Sequence, residues 1–271
     1  MAEAAALSTM HGATAASSTS DDSKELRYYY LDKRVKGESV RLALFVGGIE
    51  FEDVRLTYHE VQEMRVSGKL PFSQVPALQI GSGDDAPIYA QSQALLRWAG
   101  RKGGLYPEKH QLLIDAVTDV MVELYTEMIK VGYGSAMTRN PISGRPMVQL
   151  SQNQRIEVAR SCGEILFPVR FQQLERLVVE LPPSETTGPS PSIAGAATAL
   201  TSRYFFGDQL TIADLSFYVL ASSILDGAWS GNGVGPEVLD GCDKLLNIAR
   251  LVGEHPRVVA WNAAHPAEWF G

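Results

Sequence analysis

The sequence predicts an α/β unit built on a mixed sheet, followed by an all-helical region. Two observations carry this. Segments of strand and helix character alternate from Leu26 to Lys102, while from Glu108 onward apolar residues recur only at helical spacing. A punctuated stretch, Gly103-Gly104 and Tyr106-Pro107, separates the two regimes.

The elements follow in order. Leu26–Leu31 (LRYYYL) is short and aromatic-rich, hence a strand on which Tyr28 and Tyr30 share one face and Tyr29 takes the other. After a polar stretch from Asp32 to Gly37, Glu38-Ser39 begins a helix through VRLALFVGG, stopped by Gly47-Gly48. Phe51–Leu56 alternates apolar and charged residues and reads as a second strand near a sheet edge. Thr57 to Lys69 is polar with a weak helical pattern and counts as a loop in this layout. Gln74-Val75-Pro76 opens a third strand, where the proline leaves neighbouring backbone groups unpaired. Gly81-Ser82-Gly83-Asp84-Asp85 is turn chemistry before a fourth strand, and Gln91-Ser92 starts an apolar-periodic helix with Ala94, Leu95 and Trp98. A serine-capped helix N-terminus suits a carboxylate. With free strand amides beside Val75, the segment Pro71–Trp98 suits a small acidic peptide.

In the second region, Leu113, Val117, Val120, Met121 and Leu124 mark a helix to about Tyr133. A further helix is expected from Gln152 to Glu180, kinked at Pro168. Residues 181–203 are rich in Pro, Ser, Thr, Gly and Ala and read as a long surface loop. Helices follow near Ile212–Leu225, Asp240–Gly253 and Pro256–Ala264. Thr211-Ile212-Ala213-Asp214 has capping-box spacing, which accounts for it without any ligand.

The bounds are those of a globular chain. Its 271 residues suit two domains: residues 25–103 and 108–271 after a disordered tail at 1–24. The tail lacks an apolar core and arginine, although its Ser and Ala content also fits an import segment. The formal charge of −7 and the absence of Lys/Arg runs argue against nucleic acid. No apolar stretch reaches the roughly 18 residues of a membrane helix. Cys162 and Cys242 alone make neither a disulfide framework nor a metal site, and they fit a reducing, cytoplasmic setting.

The aromatic first strand, VKGESVRLAL, LPFSQVPAL, QSQALLRW and TIAD together resemble the cytosolic glutathione S-transferases, closest to the sigma-like, tyrosine-type class that includes haematopoietic prostaglandin D synthases. The resemblance runs from about Leu26 to His265. It implies a thioredoxin-like glutathione-binding domain followed by an all-α domain carrying a hydrophobic acceptor pocket, expected around Tyr133, Met137 and Met147, and a cis bond before Pro76. It also implies a homodimer, no metal, and no cofactor beyond glutathione as cosubstrate. Tyr30 matches the catalytic tyrosine. Lys36 stands where the class places an arginine, Val61 where it places a tryptophan at the glycine end of glutathione, and Arg65 where a lysine binds the glycine carboxylate. Gln74, Val75 and Pro76 match the stretch whose side chain and backbone hold the cysteine and glycine parts. Gln91 and Ser92 match the γ-glutamyl carboxylate site. Glu123 falls where the partner subunit supplies an acid to the γ-glutamyl amine. The expected reaction is attack of a tyrosine-stabilised thiolate on a small hydrophobic electrophile. Isomerase or peroxidase chemistry, or a non-catalytic binding protein on the same fold, are the alternatives.

Overall fold

A computed structural model of the chain describes residues 25–133, 145, 148–178, 203–266 and 269. The tail at 1–24 and residues 181–202 of the expected loop lie outside them, as do Met137 and Met147.

The first region is a four-stranded sheet in the order β2-β1-β3-β4. Strand β1 (Leu26–Leu31) pairs in parallel with β2 (Glu52–Leu56) and antiparallel with β3 (Ala77–Ile80), which pairs antiparallel with β4 (Ile88–Ala90). A parallel pair needs a crossover, and α1 (Glu38–Val46) supplies it. The alternation along β1 sorts its tyrosines as the period-2 rule demands. Tyr28 and Tyr30 join the large core with α1, and Tyr29 joins a smaller core with Leu56, Val61, Leu70 and Ala77 on the other face.

Thr57–Lys69 departs from the expected loop. It contains α2 (Tyr58–Val66), which buries only Val61 and so shows almost no apolar stripe. Its start is a capping box: the Glu60 amide donates to Thr57 Oγ1 at 3.2 Å, and the Thr57 amide donates to Glu60 Oε2 at 2.7 Å. The helix is fixed by its cap and one anchor rather than by amphipathicity.

Helix α3 (Ser92–Lys102) leads into the second region, where α4 spans Gln111–Tyr133. The helix expected from Gln152 is interrupted. Helix α5 (Gln152–Ser161) widens into a π turn over Cys162–Leu166 before α6 (Phe167–Leu177). Pro168 has no amide to return to the preceding turn, and the wider turn absorbs the mismatch. Gly163 belongs there for a steric reason, since a Cβ would lie 1.9 Å from the Gly233 carbonyl oxygen.

Helix α7 (Ile212–Leu225) is buried on nearly every side. The Asp214 carboxylate at its start accepts from the Thr211 amide at 2.8 Å, the Thr211 hydroxyl at 2.7 Å and the Phe205 amide at 2.9 Å. Burial still pushes its pKa up to about 6. Helix α8 starts at Asp243 rather than Asp240, because Gly241 is left-handed at φ 73° and breaks the run. Helix α9 (Pro256–Ala264) returns to the first region: Trp261 Nε1 donates to the buried Glu38 Oε1 at 2.7 Å, and its ring stacks on Phe51. One hydrophobic core thus runs through sheet, α1, α3, α4 and α7. Among the described residues no helix is long and apolar enough to cross a membrane.

Candidate functional site

Local strain marks the site first. Among the described residues, only three that are not glycine have positive φ: Phe72 at 56°, Ser73 at 55° and Gln91 at 80°. The first two lead into Gln74, and the third precedes Ser92. Such conformations cost on the order of 1–3 kcal/mol each and persist where the surroundings enforce them. The two loops meet: Gln91 Nε2 donates to Gln74 Oε1 at 3.2 Å. Both side chains are otherwise exposed, and the Val75–Pro76 bond between them is cis.

Ser92 is the first helical residue of α3 rather than its cap. The cap position is Gln91, and its side chain makes no capping hydrogen bond. The first amides of α3 therefore lack a side-chain cap and carry the positive end of the helix dipole.

Arg65, on α2, turns toward the same loop. Its Nε donates to the Ser73 carbonyl at 2.8 Å, and its Nη1 donates to Gln62. It braces the backbone next to Gln74. Val61 is buried in the smaller core, so no side chain from that position reaches solvent.

Lys36 is half-buried between the two regions and donates to Thr126 Oγ1 on α4 at 3.2 Å. Desolvation pulls its amine down to about 8. It lines a small cleft with Ser92, Gln93 and Tyr125. Gln93 Oε1 is buried there with no hydrogen-bond partner among the described residues, and the Tyr125 hydroxyl is buried near Ser223, two polar groups that the sequence reading missed.

Tyr30 lies at the C-terminal half of β1, opposite Arg55, with 5 % of its surface exposed. Burial raises its hydroxyl to about 12, against the opposing pull of the Gly37 backbone and the Arg41 guanidinium. It is therefore a neutral phenol at pH 7, with a proton to donate. Arg41 is completely buried and lies over the rings of both Tyr28 (5.6 Å) and Tyr30 (5.3 Å).

Glu123 does not join these groups within the chain. It sits on α4 and accepts from Arg170 Nη2 at 2.8 Å and Nε at 3.2 Å, both through Oε1. The side chain of Tyr133 lies outside the described part. Both cysteines are buried and unpaired, with thiols raised to about 11 by burial, and neither lies in the first region. Among the described residues no group of three or more metal-ligating side chains forms.

Residues 194–265 match the family described as glutathione S-transferase, C-terminal domain. The chain is 24 % identical over 239 residues to glutathione S-transferase 1 of Ascaris suum, covering 88 % of this chain and 95 % of that one. The chain is similar to the glutathione S-transferases. Two solved structures share its fold. The sigma-class transferase of Fasciola hepatica superposes with a TM-score of 0.62 at 18 % identity, over 89 % of this chain and 97 % of the other. The prostaglandin synthase D of Nilaparvata lugens gives 0.64 at 18 % identity, over 90 % and 100 %. The chain is accordingly a thioredoxin-like layer followed by an all-α layer. Within the chain, Gln74, Val75, Gln91, Ser92 and Arg65 converge on one rim, Lys36 lines the cleft beside Ser92, and Glu123 stands apart.

Proposed function

We propose that this transferase joins glutathione to hydrophobic electrophiles, with the Tyr30 hydroxyl donating a hydrogen bond to the glutathione thiolate. The observation that carries the reading is the meeting of the Gln74 loop with the uncapped N-terminus of α3, braced by three left-handed residues. Glutathione presents two carboxylates, an amine and a thiol. The α3 amides and Ser92 suit the γ-glutamyl carboxylate. The backbone at Val75 pairs with the central cysteine like an added strand. Lys36 and Arg65 supply positive charge toward the glycine carboxylate, and Gln74 and Gln91 close the rim.

The chemical step needs a thiolate. A free thiol of pKa about 8.5 is only ~3 % ionised at pH 7. A hydrogen bond to sulfur favours the charged form, and lowering the pKa by about two units is worth ~2.7 kcal/mol. Tyr30, neutral up to about pH 12, keeps the proton this bond requires. The thiolate then forms a carbon–sulfur bond to the electrophilic carbon; in a substitution the leaving group departs with the electron pair of its broken bond, and in an addition the resulting anion takes a proton from solvent. Purified protein with glutathione and a chlorinated nitroarene tests this. Tyr30→Phe should lose about tenfold or more in kcat/KM, the scale of one charge-assisted hydrogen bond. Equal turnover by both proteins would remove Tyr30 from the mechanism.

A second reading, glutathione-dependent isomerisation of a lipid peroxide, is favoured by the likeness to the insect prostaglandin synthase fold. Product analysis with prostaglandin-type and hydroperoxide substrates separates it from conjugation. Roles in cytoplasmic detoxification and a homodimer complete the proposal. An apolar hollow beside Phe72, Tyr89, Ala94 and Trp98, with Phe72 itself 73 % exposed, supports the dimer, as large apolar surfaces rarely face water unused. In it, Glu123 would offer Oε2, which Arg170 leaves free, to the partner's glutathione amine. Sedimentation at micromolar concentration should give twice the chain mass; a monomer counts against the dimer and against this role for Glu123.

A further inference from the structure

We propose that Gly37 is a positioning residue for Tyr30, with its backbone held by the Tyr28 hydroxyl. The proposal rests on the reading that Tyr30 serves the thiolate.

Gly37 caps α1 with φ −73° and ψ −22°, a conformation open to every L-residue. Its backbone does not explain the missing side chain. The ring of Tyr30 does. A Cβ on Gly37 would fall 2.2 Å from Tyr30 Cδ1 and 2.4 Å from both Cε1 and Cγ. Cγ lies on the axis about which the ring spins, so spinning the ring does not relieve the collision; with the Gly37 backbone held, Tyr30 must swing about its Cα–Cβ bond. That carries the hydroxyl away from its place.

The other side of the contact is fixed as well. Tyr28 Oη donates to the Gly37 carbonyl at 2.8 Å, within the core. The same carbonyl accepts the Val40 and Arg41 amides, each at 3.2 Å, so it belongs to the first turn of α1. The Arg41 guanidinium near both rings is anchored to Asp53 Oδ1 at 2.7 Å and to the Leu31 carbonyl at 3.1 Å, just beyond Tyr30. Gly37, Tyr28 and Arg41 thus define where the Tyr30 ring sits. A displacement of about 1 Å at a reacting group is enough to cost up to roughly a hundredfold in rate.

The test is a double-mutant cycle in the full-length protein, read by kcat/KM, by the pH profile of kcat/KM and by the ultraviolet absorbance of bound glutathione thiolate. Gly37→Ala should lose about tenfold or more in kcat/KM. The pKa of the bound thiol should rise, and the KM for glutathione should stay within about twofold. In a Tyr30→Phe background Gly37→Ala should cause no further loss. A Gly37→Ala enzyme with the wild-type pH profile, or the same loss in both backgrounds, overturns the proposal. Should Gly37→Ala fail to fold, Tyr28→Phe enters the same cycle: a loss that vanishes in Tyr30→Phe supports the proposal, and an additive loss overturns it. Wild-type turnover by Tyr30→Phe alone would instead sink the functional reading beneath it.

Discussion

Lys36 gives the proposed site a pH dependence that an arginine there would not. Desolvation holds its amine at about 8, so it carries charge at pH 7 and loses it as the pH rises through 8. An anionic ligand should therefore bind more weakly above pH 8. S-methylglutathione has no thiol to titrate, and comparison with Lys36→Arg cancels the titration of its amine. Its affinity should fall about tenfold from pH 7 to 9, and Lys36→Arg should flatten that fall because guanidinium stays charged. Titration calorimetry across this range checks it; identical slopes for the two proteins would remove Lys36 from the site. Gln91 allows a second prediction at this scale. Both Gln91→Ala and Gln91→Gly lose the bond to Gln74, but only glycine adopts φ 80° freely. The glycine variant should be the more stable of the two by about 1 kcal/mol, while both bind glutathione more weakly. Urea denaturation of the pair reads the first part.

At the scale of elements, most of the chain was legible because most elements bury a recognisable face. Strand β1, helices α1, α3, α7 and α9 and the edge position of β2 all followed from periodicity and Gly/Pro punctuation. Helix α2 escaped because it buries a single residue, and its only local signal was the Thr57-x-x-Glu60 spacing. The interruption between α5 and α6 was legible at Pro168, but its form was not. The π turn that accommodates Pro168 also packs Gly163 closely against the Gly233 carbonyl, a contact between distant parts of the chain. The candidate site divides in the same way. The motifs around Gln74 and Gln91 could be read locally, and the face shared by Tyr28 and Tyr30 followed from strand alternation. The bracing of Ser73 by Arg65, the Gln74–Gln91 bond and the fit of Gly37 against Tyr30 are tertiary contacts, which spacing along one strand or helix does not encode.

Across the whole molecule, the shared core and the α9 contact make the two layers one structural unit. Trp261→Phe should keep the stacking on Phe51 while leaving the buried Glu38 without its indole donor. The cost should be about 1–3 kcal/mol, because a buried charged group loses a partner. Chemical denaturation followed by tryptophan fluorescence and by far-ultraviolet circular dichroism should show a single coincident transition at lower midpoint. Unchanged stability would mean that the Trp261–Glu38 bond contributes nothing. Glu38 and Trp261 are 223 positions apart in sequence. On a ribosome adding about 5–20 residues per second, Glu38 emerges roughly 10–45 s before the indole that satisfies it. Through that interval the Glu38 carboxylate has Arg41 within its own layer but lacks the indole donor, so its full set of partners is completed only by the synthesis of the last described helix.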